Sequence, residues 1–282
     1  MRWLVIVVAA CAGSSSRVSS FSNRFEPPPI ARAPRLELIT LTWPDPPSLP
    51  PPRPASASPT PTSLSPATDA MLDAYADRGP PATARAWFAR HAPGRVDELL
   101  HELVRRYVAL GKFRSATAVL YDLVAHETDF DLRCRDLEQL FSAQRNYEPL
   151  DHVVSDAEAL VTAVAHSTSP QCRRDADAEL GLLAWEWQRE HPWREADLAV
   201  ADALWRLDLA VVTTAERRAA ALRDRAIIRW QIAREARTVD ARVWTAAAEA
   251  FSAAAATSPD DRELSAASAA ARVNAIVIRS RQ

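Results

Sequence analysis

The chain has 282 residues, with 34 basic and 36 acidic side chains, a formal net charge of -2 and 48% hydrophobic residues. Without a basic surplus to neutralise phosphates, nucleic-acid binding is not expected, and five glycines leave little room for a Gly-rich phosphate loop. Among the basic residues only Lys112 is a lysine, so the surface is rich in guanidinium forks that suit carboxylates.

Arg2, an apolar run from Trp3 to Ala10 and then Cys11 follow the layout of a cleavable export signal. The run is too short to span a bilayer, which takes about 20 residues. The stretch Val8-Ala9-Ala10-Cys11 resembles a bacterial lipobox. That resemblance implies a signal over residues 1–10 and lipidation of Cys11, whose acyl chains would hold the protein on a membrane without crossing it. Ala12 stands where an Asp commonly retains lipoproteins at the inner membrane, which implies the outer membrane, facing the periplasm. A plain secretory signal with an incidental Cys is the competing reading.

Residues 11–66 hold 14 of the 21 prolines and have Ser-rich flanks. Proline removes backbone donors and fixes dihedrals, so this stretch reads as an extended tether rather than part of a helical core. Where polyproline-like it gains about 3.1 Å per residue, so roughly forty residues reach on the order of 100 Å. Residues 36–43, LELITLTW, are less Pro-rich. They are open to three readings: an ordinary part of the tether, a strand added to a partner sheet, or a segment folded back on the rest of the chain.

From residue 67 onward apolar residues follow helical spacing. Leu100, Leu103, Tyr107, Phe113, Ala116, Leu120 and Leu123 fall on Cys134, Leu137, Phe141, Tyr147, Leu150, Val154 and Ala157 at a constant offset of 34. Gly111 is placed to end the first helix of the unit, with Lys112 beside it suited to the negative end of that helix. A looser copy runs through Leu180, Leu183, Ala184, Trp187, Trp193, Ala196, Val200 and Ala203, after an apparent insertion at residues 165–176. Others run through Trp244, Ala247, Phe251 and Ala254, and, before the main copies, through Met71, Tyr75, Gly79, Ala84 and Phe88. Residues 262–281 read as a terminal amphipathic helix with Leu264, Ala267, Ala271, Ile276 and Ile278 inward. A repeat of this period predicts stacked helix pairs.

The Leu and aromatic on the first helix, Gly before an aromatic at the turn and Ala on the second helix resemble the tetratricopeptide repeat. The resemblance implies an all-α solenoid over residues 67–282, with four to five helix hairpins and a C-terminal capping helix. It further implies a protein-binding scaffold whose first helices line a groove. Carried over copy by copy, the groove face takes His101, Arg105 and Val108, then Arg135, Gln139 and Ser142, then Leu182, Trp185 and Arg189. A clamp for a peptide carboxylate at His101, Arg105, Arg135 and Gln139 is one use of that face, although the family's Lys and Asn are absent. Solvated pairing of these residues with Glu98, Glu102 and Asp136 is the other.

Export permits a disulfide between Cys134 and Cys172; a buried thiol plus an unrelated loop Cys is the alternative. The six histidines show no metal-ligand spacing, and neither CxxC nor GxSxG occurs. No metal, cofactor or catalytic role is therefore expected. The sequence leads to an outer-membrane lipoprotein that binds other envelope proteins in a multiprotein machine, with motility or export machinery preferred. Secretin pilotins and outer-membrane assembly lipoproteins are similar in layout. A glycan- or small-ligand-binding lipoprotein using Trp185 as a stacking platform, and an enzyme with a site in residues 205–240, are the readings of other classes.

Overall fold

The computed structural model describes residues 38, 39, 41, 64–145, 152–190, 194–235 and 240–281; the signal, Cys11, and most of the Pro-rich stretch lie outside them. The described residues contain no strand and are almost entirely helical. The helices are α1 (Pro66–Arg78), α2 (Ala84–His91), α3 (Val96–Ala109), α4 (Phe113–His126), α5 (Phe130–Gln144), α6 (Val153–His166), α7 (Pro170–Glu190), α8 (Glu195–Val211), α9 (Ala215–Glu235), α10 (Ala241–Thr257) and α11 (Arg262–Arg279), with a 3-10 turn at Pro81–Thr83. From α2 to α11 each helix packs on its successor, and α1 on α3, α5 on α7 and α6 on α8 add contacts between successive pairs.

Local chemistry sets the helix ends. Asp129, Asp240 and Asp261 accept backbone N–H groups at the starts of α5, α10 and α11, and Ser65 does so for α1. Gly111 closes α3 in the left-handed region, with φ of 67°, and the Lys112 N–H then reaches back to the Tyr107 carbonyl at 2.8 Å. This is the geometry for which glycine is favoured at a helix C-terminus. Lys112 does not serve the end of its own α3: its Nζ donates to the carbonyls of Ala76 and Asp77 at 2.8 and 3.3 Å, capping α1 of the preceding layer.

Polar contacts between layers keep a common sequence separation. His101 meets Asp136 and Tyr121 meets Asp156 at 35 residues. Arg145 meets Glu179 at 34, Asp177 accepts from Thr213 at 36, and Arg106 reaches Asp69 at 37. Asp131 similarly accepts from Ser167, Thr168 and Ser169, fastening the α6–α7 connection to α5. Equivalent positions of successive layers therefore meet again and again. The near-constant offset in the sequence is a spacing of contacts in space.

Three features depart from the sequence reading. Residues 170–176 of the apparent insertion are not a loop but two added turns of α7, opened by Pro170 at its first position, where proline costs no hydrogen bond. In α8 the buried face is Leu198, Ala201, Leu204 and Trp205, while Ala196 is exposed and Ala203 half-buried, so the register expected there is shifted. Ile276 is 61% exposed on α11, whereas Asn274 is fully buried. The largest buried side chains in the C-terminal half are Trp205 and Trp230, from the region where the repeat pattern is weakest.

The apolar interior forms two clusters that meet along α9, where Ala221 and Ile228 join the first and Ala226, Ile227 and Trp230 the second. The second cluster includes Leu41, with Ile39 packed against it. Of the three readings open for residues 36–43, the described residues 38, 39 and 41 thus follow the fold-back onto the chain's own helices.

Candidate functional site

The first helices α3, α5 and α7 carry the face to which the sequence assigns binding. His101 on α3 is half-buried, and its Nε2 lies 2.8 Å from Asp136 Oδ1 on α5, while its Nδ1 contacts the Asp97 carbonyl. Burial opposes the charged imidazole, but the Asp136 hydrogen bond and charge outweigh it and raise its pKa. Asp136 has 0% exposure, so this pair joins α3 to α5 from inside the array. Arg105 pairs with Glu102 one turn away. Two of the four proposed clamp residues are thereby engaged with acids.

Arg135 and Gln139 are half-buried on α5, and the Arg135 Nε is buried without a hydrogen-bond partner among the described residues. On α7, Trp185 is half-buried and its ring is covered by the Arg189 guanidinium at 4.4 Å, a helical i,i+4 cation–π contact. One face of the Trp185 ring is therefore taken by this chain's own arginine. The structure brings Arg135 and Gln139 together on α5 and Trp185 with Arg189 on α7.

Cys134 and Cys172 form a disulfide that bonds α5 to the added first turns of α7, with Cα atoms 5.9 Å apart. Cys172 is buried on the helix rather than exposed on a loop. Beside it stand carboxyls that the sequence reading did not single out. Glu138 Oε1 lies 3.3 Å from Cys134 Sγ. A disulfide sulfur has no proton to give, so a hydrogen bond forms there only when Glu138 carries the proton and donates it. Its pKa fits that requirement: burial, with Asp175 and Glu179 nearby and Arg135 opposing, pushes it up to about 8.

Glu179 and Glu186 on α7 share Arg145 of α5, at 2.5 and 3.2 Å. Burial raises both carboxyls above their ordinary range, partly offset by Arg145. The α5–α7 junction thus holds four carboxyls, Glu138, Asp175, Glu179 and Glu186, against Arg135 and Arg145. Its chemistry favours an incoming cation over an incoming carboxylate. The residues are spaced along two helices that the sequence pattern alone does not align, because the added turns of α7 set their register.

Farther along, Asp177, Asp208 and Asp224 are buried where α7, α8 and α9 meet. Arg217 enters between them, 2.9 Å from Asp208 Oδ1 and 3.3 Å from Asp177 Oδ1. Burial, opposed by Arg217, pushes Asp208 up to about 7, and burial opposed by Arg223 and Arg217 pushes Asp224 up to about 6. This cluster lies in the 205–240 region considered for an enzyme site. Arg217 bridges Asp177 and Asp208, and Thr213 donates its N–H and Oγ1 to Asp177 Oδ2, while Asp177 Oδ1 and Asp208 Oδ2 are buried without a hydrogen bond among the described residues. The arrangement reads as a structural lock.

Among the described residues no group of three or more His, Cys, Asp or Glu is placed to hold a metal ion. None of their helices is long and apolar enough to cross a membrane. Fold and site together define an all-α array of helices packed in chain order, with an acid-rich face on α5 and α7. Comparison with known proteins finds no matching family, no matching curated protein and no matching solved structure.

Proposed function

We propose that the protein is a lipid-anchored, periplasm-facing outer-membrane scaffold of the tetratricopeptide type. Its α3–α5–α7 face binds a segment of another envelope protein and keeps it within a multiprotein complex. The Cys134–Cys172 disulfide carries this reading. It fastens two successive first helices, the elements that bear the binding face, and such bonds persist in oxidising compartments outside the cytosol. The recurring contacts at 34 to 37 residues between layers support the repeat assignment. Motility or export machinery is preferred because the long Pro-rich tether suits a large envelope-spanning complex; pilotin and outer-membrane assembly roles are the alternatives of the same class.

The electrostatics refine the partner. His101 and Arg105 are paired with acids, Glu138 stands beside the disulfide with a raised pKa, and Glu179 and Glu186, also raised, share Arg145 farther along α7. A basic side chain of the partner suits this set of carboxyls better than a terminal carboxylate does. Crosslinked pull-downs with the full-length chain beside the double variant Arg135→Ala, Gln139→Ala test the face. Loss of the recovered envelope proteins, with the fold intact by circular dichroism, is the expected result. Full retention contradicts binding along α5.

A further inference from the structure

Asn274 is a polar side chain with 0% exposure on α11, and its hydrogen-bond partner lies 235 residues away. The Ile39 N–H donates to Asn274 Oδ1 at 2.8 Å, and Asn274 Nδ2 donates to the Ile39 carbonyl at 3.0 Å. A carboxamide offers one acceptor beside one donor, as a peptide group does. Asn274 therefore pairs with Ile39 as a residue of a neighbouring strand would, and this pairing is blind to the side chain at position 39. Selectivity comes from the flanking residues. Leu41 is 8% exposed within the cluster that contains Trp230, Trp244, Phe251 and Leu264, and Ile39 packs against the same cluster. Leu38 is 38% exposed. That pattern is what an extended chain produces, since residues two apart share a side and adjacent residues do not.

The helices leave room for this segment by being alanine-rich where it docks. Ala267, Ala270, Ala271 and Ala275 on α11 all belong to the cluster that takes in Leu41. Small side chains on a helix allow a second backbone to come close. The same buried surface then places a full carboxamide, Asn274, where a core helix ordinarily carries an apolar residue. Burying an amide without partners is costly, so a buried Asn at this position has its physical justification in the backbone it pairs with.

We propose that the groove built from α9, α10 and α11 is a peptide-binding site for an extended segment with apolar residues two apart, and that the chain's own Leu38, Ile39 and Leu41 are its resident ligand. This assignment goes beyond the partner face on α3, α5 and α7 and rests on no part of the anchoring proposal. Docking ties a point of the Pro-rich stretch to the last helix of the array, while α1, which the same stretch enters at Ser65, opens it. A segment of another protein with the same pattern competes for the groove and, on binding, displaces Ile39 from Asn274 and Leu41 from the apolar cluster.

Two measurements test the site. In the full-length wild-type chain the Ile39 amide hydrogen exchanges slowly, and Asn274→Ala restores fast exchange there while the amides of α3 to α5 keep their protection. An unprotected Ile39 amide in the wild type overturns the proposal, whatever the variants do. For ligand chemistry, a fluorescent octapeptide with the sequence of residues 36–43 is titrated into the full-length Leu41→Glu chain, whose own segment cannot seat a charge in the apolar cluster. The peptide binds this variant at least about tenfold more tightly than the wild type, and adding Asn274→Ala weakens it about tenfold, the loss expected for two hydrogen bonds. A folded Leu41→Glu chain that ignores the peptide overturns the proposal. So does a dimeric wild type that Leu41→Glu converts to monomer, because the segment would then belong to a second copy.

Discussion

Arg217 Nη2 occupies the space that a Cβ on Gly181 would fill, closer than real Cβ contacts come. Gly181 is buried in the middle of α7, where glycine costs about 1 kcal/mol relative to alanine in helix propensity. The position is glycine because the guanidinium must pass the α7 backbone to reach Asp177 and Asp208. Packing and electrostatics at this point override the local preference of the helix.

Gly181→Ala is accordingly expected to destabilise the protein. Displacing Arg217 leaves Asp208 buried without its cation, a loss of about 3 kcal/mol or more, against which helix propensity returns about 1 kcal/mol. The loss is larger at pH 8 than at pH 5, where a protonated Asp208 needs no cation. Urea unfolding of both chains at the two pH values checks it; equal stability at pH 8 would show that Arg217 finds another path.

Stability falls as pH rises from about 5 to 8. Glu138, Asp208 and Asp224 have folded pKa values of about 8, 7 and 6, above their ordinary values of 4.5, 3.8 and 3.8. In that range the folded state holds more protons than the unfolded one, so each contribution is complete below the unfolded pKa and is lost as pH climbs through the folded value. His101, also raised, acts in the same direction at its upper end. Glu138→Gln, which keeps the shape without the charge, flattens the decline toward pH 8; an unaltered slope in that variant would assign the effect elsewhere.

Removing the disulfide weakens the array. Cys134 and Cys172 are separated by 38 residues in sequence, and closing a loop of that size lowers the entropy of the unfolded chain by an amount worth about 4 kcal/mol. Cys172→Ser or reduction with dithiothreitol should lower the urea midpoint correspondingly. Either change leaves Cys134 Sγ beside Glu138 as a thiol, which has a proton of its own to donate. A thermal melt that is the same with and without reductant argues that the bond is absent from the protein in solution.

Arg105→Ala changes little in stability. Its partner Glu102 also pairs with Arg106, and both arginines remain partly exposed. A loss within about 1 kcal/mol is expected in urea titrations, as for other surface ion pairs. Any effect of this substitution on partner retention then reports on binding and not on folding.

The 34-residue offset was legible because a repeat places equivalent apolar positions on one face. Leu100, Leu103 and Tyr107 are buried, as are Cys134, Leu137 and Phe141. It failed where chain length changes. Two extra turns at the start of α7 look like an insertion in an alignment, but helical spacing continues through them, and Cys172 and Ala176 are buried on the added turns. In α8 the register shifted because apolar residues occupy nearly every side: Ala196, Val200 and Ala203 fit the repeat template as well as Leu198, Ala201 and Trp205 fit the core.

Less of the candidate site was legible. His101, Arg105, Arg135 and Gln139 were placed by the repeat pattern, yet the pattern does not say that His101 meets Asp136 or that Arg105 meets Glu102. Glu138, Arg145 and Glu179 escaped notice because acids and arginines on helices are common, and only the α5–α7 register brings these together. Asn274 carried one usable signal: a lone amide among the small apolar residues Ala270, Ala271 and Ala275 of α11. An amide in such a stretch calls for a polar partner from outside the helix.

Membrane fractionation of cells producing the full-length chain or its Cys11→Ala variant, each followed by crosslinked affinity capture, tests the central claim most directly. The proposal predicts wild type in the outer-membrane fraction with a defined set of envelope proteins, and a Cys11→Ala form that leaves the membrane and loses that set. A wild-type chain that is soluble and recovers nothing specific contradicts both the anchor and the scaffold.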